Sequence, residues 1–107
     1  MGGASAIRDA HAPLYRILHC VDVADERLQV ATDLVAQSGL KLWDFQNALK
    51  VIDNILAHPD VSNADIKGLL NRVGGFRYES PFGADAKGAR KHLLAARDAI
   101  AGWIDKK

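Results

Sequence analysis

Leu14, Ile17, Val21, Ala24, Leu28, Ala31 and Val35 recur at alternating spacings of three and four residues. That spacing lays all seven along one stripe of a helix and would divide them between the two faces of a strand. Two later segments repeat it, with Leu42, Phe45, Leu49, Ile52 and Leu56 in one and Ala86, Ala89, Leu93, Ala96, Ile100 and Trp103 in the other. A shorter segment carries Ile66, Leu69, Leu70 and Val73. No segment alternates convincingly with the period of two that marks a half-buried strand. The pattern therefore predicts an all-α protein, a small antiparallel helical bundle of three longer helices plus one short helix.

Local signals set the expected boundaries. Pro13 suits a first helical position and Ser38-Gly39 a C-terminal stop, so helix one is expected over 13–38. Asp22 with Asp25 three residues on also reads as a cap that would split this segment, but the apolar stripe crosses Asp22 without losing phase, which favours one continuous helix. Helix two is expected over 41–57, stopped by His58-Pro59-Asp60. Ser62 followed by Asp65 caps the short helix, which Gly74-Gly75 ends. The last helix begins near Asp85 and runs toward Lys106-Lys107. Residues 1–12 carry no strong period and are expected to form a flexible N-terminal arm ahead of a single domain spanning 13–107.

The totals exclude several classes. One domain accounts for 107 residues, and a hydrophobic content of 49% is ordinary for a globular chain. No apolar run reaches the roughly 20 residues of a membrane span, and the N-terminus lacks a signal-peptide apolar region, so a cytoplasmic location is expected. A lone cysteine, Cys20, forms no internal disulfide and supplies too little thiol for a usual structural zinc site. No cofactor and no metal are expected. Charge is uneven: residues 1–64 carry a net −3 and residues 65–107 a net +4. That bias suits a small anion or an acidic partner and is milder than a dedicated DNA-binding surface.

Tyr15, His19, Asp22 and Glu26 would line one face of a continuous helix one, but one face supplies at most three ligands and no Glu-x-x-His partner occurs elsewhere. The face reads as solvated and ion-paired. Adjacent helical residues diverge by about 100°, which separates Cys20 from His19 as a nucleophile and base. The Glu-Glu-x-x-Glu and Glu-x-x-Asp strings of all-helical nucleotide pyrophosphohydrolases are absent. A P-loop is absent too, and eleven residues at 74–84 are too many for a helix-turn-helix. No catalytic motif remains, and the chain reads as a non-enzyme.

Two binding surfaces are expected instead. Helix one, if continuous, outreaches helix two by about 13 Å at 1.5 Å per residue, leaving Leu14, Ile17, Leu18 and Val21 to meet a second copy or a helical partner protein. A small binding or regulatory protein acting as a homodimer or through a protein partner follows. The alternative places a small anionic ligand or nucleic acid on the basic-aromatic loop 74–84 and the start of the last helix, at Arg77, Tyr78, Lys87, Arg90 and Lys91.

Overall fold

In the computed structural model, which describes residues 2–22, 28–73, 82–83 and 85–106, the chain is all-α. The elements are α1 (Gly2–Ile17), a 3₁₀ turn (Leu18–Cys20), β1 (Val21–Asp22), β2 (Gln29–Val30), α2 (Thr32–Ser38), α3 (Leu42–Ala57), α4 (Asn63–Val73) and α5 (Ala86–Asp105). The helices α1, α3, α5 and α4 close a ring in which each packs on two others. Phe45, Ile52, Ile66, Leu69, Leu93 and Ile100 fill its centre.

The expected N-terminal arm is instead the first helix, and Pro13 lies inside it. Ala6, Ala10, Leu14 and Ile17 are buried along one stripe, and this explains the difference. A proline inside a helix costs about 3 kcal/mol, while burying a Leu or Ile side chain returns about 1.5–3 kcal/mol each. Leu14 and Ile17 together outweigh the break. Small side chains near the start let α1 approach closely: a Cβ on Gly3 would stand 3.1 Å from the Asp60 carbonyl oxygen. At the other end, Arg16 Nη2 is 3.3 Å from the Asp44 carboxylate. Those two contacts join the start of α1 to the turn just past α3 and the end of α1 to the start of α3, so the two helices are antiparallel.

Neither the continuous helix over 13–38 nor its split form is present. The chain leaves the helix at Ile17, turns through Leu18–Cys20, and pairs Val21 with Val30 and Asp22 with Gln29 in an antiparallel ribbon. The Ala31 N–H donates to the Cys20 carbonyl at 2.6 Å, extending that closure. Val21, Leu28 and Val35 are buried as the stripe demanded, but on β1, just ahead of β2 and on a seven-residue helix respectively. The consequence for the expected interface is direct: Leu14, Ile17, Leu18 and Val21 all belong to the protein's own core and offer no surface to a partner. Helix one has no surplus length, because α1 and α3 each have 16 residues.

Elsewhere the local signals hold. Gly39 follows α2 with φ of 69°, the left-handed stop expected of it. The Ser62 hydroxyl accepts from the Asp65 N–H and the Asp65 carboxylate accepts from the Ser62 N–H, both at 3.1 Å, a complete capping box at the start of α4. Asp85 caps α5 by accepting from the Gly88 N–H at 2.8 Å.

Candidate binding groove

Burying Ala89, Leu93, Ala96 and Ile100 against the ring fixes the rotation of α5 and turns another stripe away from it. That second stripe, running through Lys91, Leu94, Asp98, Gly102 and Lys106, lines one wall of an open groove of about 910 Å³. Leu28, Gln29, Val30 and Thr32 line the facing wall, so the ribbon that breaks helix one also builds the groove. Leu94 is 48% exposed, a large apolar side chain on the groove's surface. Trp103 lines the same groove while its ring packs on Phe45, with centroids 4.5 Å apart, which ties the wall to the core. From Lys91 to Lys106 the wall extends about 22 Å, or four helical turns.

The expected anion site divides. Arg77 and Tyr78 lie outside the described residues. Lys87 is exposed on the first turn of α5, and Lys91 lines the groove. Arg90 is taken up by structure: its Nη2 donates to the Val61 carbonyl at 3.0 Å and its Nε to the Asn63 side chain. The Asp85 carboxylate occupies the N-terminus of α5, where an anion would otherwise find free N–H groups. Arg90 and Lys91, adjacent in sequence, thus have different work.

Because residues 18–22 are not α-helical, His19 and Cys20 do meet. Cys20 Sγ lies 3.4 Å from His19 Nε2 and 3.9 Å from Ser38 Oγ, and His19 Nε2 lies 2.9 Å from Ser38 Oγ. The triangle fastens the 3₁₀ turn to the end of α2. Its thiol is held in the neutral form: burial raises the Cys20 pKa, and the weaker effect of the Ser38 hydrogen bond works the other way. A buried neutral thiol is a poor nucleophile. Among the described residues no group of three or more His, Cys, Asp or Glu side chains is placed to hold a metal ion. None of the described helices is long and apolar enough to cross a membrane.

No family model, no curated protein and no solved structure matches the chain.

The groove itself was not foreseen from sequence. Its α5 wall has the recurrence of 91, 94, 98, 102 and 106, a second helical stripe that mixes Lys, Leu, Asp and Gly and so carries no apolar signal of its own.

Proposed function

We propose that this chain is a non-catalytic binding protein whose working surface is the groove between β2 and α5, and that the groove takes a segment of a partner polypeptide. The observation that carries the reading is the four-turn stripe of α5 with Leu94 half exposed at its side. Grooves of this kind hold a helix through anchors spaced along one face. The neutral, buried state of Cys20 and the structural use of Arg90 support binding over chemistry. The binding surface expected on helix one is replaced by this one.

A displayed library of helix-forming peptides, selected on the wild-type chain and counter-selected on Leu94→Arg, tests the proposal. Peptides that bind the wild type and are lost on the variant support it. A selection that yields no binder, or binders indifferent to Leu94→Arg, overturns it.

A second reading rests on two exposed aromatic side chains outside the groove lining. Tyr15 and Trp43 are 63% and 59% exposed, and they flank the Arg16–Asp44 ion pair in sequence. Exposed Tyr and Trp are enriched where proteins meet. Self-association there predicts a dimer in sedimentation that Trp43→Ala converts to monomer, and a monomeric wild type would dismiss it.

A further inference from the structure

Two lysines and one aspartate line the groove. Lys91 and Lys106 stand at its two ends, and Lys87 lies one turn before Lys91 on the same helical face. Asp98 falls between them, and Arg97 Nη1, 3.2 Å from its carboxylate, offsets that charge in part while also pairing with Asp53. Among the described residues neither Lys91 nor Lys106 makes an ion pair. Apart from Asp98, the wall between those lysines is apolar or small, with Ala95, Ala99 and Gly102 allowing a second helix to lie with its axis at the short end of the 8–10 Å packing range.

From this charge pattern we infer that the occupant is an amphipathic helix of a partner protein. Its apolar face lies on Leu94 and Ala99, and it carries acidic side chains about four turns apart that reach Lys91 and Lys106. The inference rests on the binding reading above and adds the chemistry of the partner.

A second copy of this chain fits the groove less well. Two α5 helices related by a two-fold axis through the groove's middle run antiparallel. Lys91 of one copy then faces Lys106 of the other, and like charges meet at both ends. An acidic helix meets no such repulsion.

Two stapled helical peptides of about 18 residues separate the possibilities. They share one leucine-bearing face; one has Glu at both ends of that face and the other has Lys. Each is titrated into the full chain while backbone resonances of Leu94, Ala99 and Gly102 are followed. The expected result is binding at those resonances, about ten-fold tighter for the Glu peptide at low salt. That advantage falls at high salt and disappears in the Lys91→Ala/Lys106→Ala double variant. Equal affinities at the same resonances would overturn the acidic-partner inference and leave groove binding standing. No shift at the groove with either peptide would overturn both. A dimer found by sedimentation without peptide, and dissociated by Leu94→Arg, would overturn the inference in favour of a second copy.

Discussion

Arg90 Nη2 donates to the Val61 carbonyl oxygen at 3.0 Å, a single bond that ties α5 to the turn between α3 and α4. The neighbouring Nε of the same guanidinium donates to the Asn63 side chain, at the first residue of α4. Arg90 is therefore a strut from α5 to the turn between α3 and α4 and to the start of α4. Its neighbour Lys91 projects into the groove and supports nothing else.

The first prediction separates these two cations. Hydrogen bonds to a charged donor contribute about 1.5–3 kcal/mol, and removing the donor leaves the partly buried acceptors to find water. Arg90→Ala is expected to lower unfolding stability by about 2 kcal/mol, read as a lower urea midpoint. Lys91→Ala should stay within about 0.5 kcal/mol of wild type, as surface changes usually do. Equal midpoints for the two variants would dismiss the strut.

Acid should weaken the fold through His92. This side chain is buried in α5, with the Phe82 ring edge-on at 6.4 Å, and burial pushes its pKa down from 6.5 to about 4. In the unfolded chain it takes up a proton near pH 6.5, which the folded chain resists until about pH 4. The unfolded state thus binds more protons within that window, and stability falls as pH drops through it. Between pH 7 and pH 5 this group accounts for about 2 kcal/mol. Denaturant unfolding of wild type and His92→Leu at both pH values checks the figure, since the difference between their pH slopes isolates His92. Parallel slopes would contradict the assignment.

The helix boundaries from Gly39 onward were legible because they are set by local chemistry. Ser62 with Asp65, Asp85 with Gly88 and the left-handed Gly39 each act within four residues of chain, which a sequence displays directly. Residues 13–38 misled for a physical reason: the stripe records burial, and Val21 on the ribbon and Leu28 just ahead of its second strand are buried as well as they would be on a helix. Pro13 misled because a local penalty of about 3 kcal/mol is outweighed by burial that only the folded molecule displays. The same error hid the approach of Cys20 to His19, which needs the non-helical turn at Leu18–Cys20. The groove was illegible because it depends on where the ribbon comes to rest against α5, a long-range outcome. Of the cations expected to bind, Lys91 lines it, while Arg90 was indistinguishable from Lys91 until Val61 and Asn63 were in place.

Gly88 should resist replacement. The Phe82 and Gly83 carbonyl oxygens stand where its Cβ would be, and both are backbone atoms that would have to shift to admit it. Gly88→Ala gains helix propensity of about 1 kcal/mol but forces the segment before α5 away, at a cost of about 1–3 kcal/mol for overpacking. Net destabilisation is expected, seen as a lower thermal midpoint. A higher midpoint would mean that the Phe82–Gly83 contact is not held.

Gly102 presents the opposite case and joins stability to function. Among the described residues no atom outside its own helix lies within 4 Å of where a Cβ would stand, and the residue is in the interior of α5. Gly102→Ala should therefore stabilise the fold by about 0.5–1 kcal/mol through helix propensity alone. The same methyl group would enter the groove, where Gly102 lets a second helix come close. The variant is expected to melt higher and to bind a groove peptide less tightly, a split that global damage to the fold cannot produce. Thermal melts paired with peptide titration read both effects from one protein. A stabilised variant with undiminished binding would mean that the occupant does not lie along this stretch of α5.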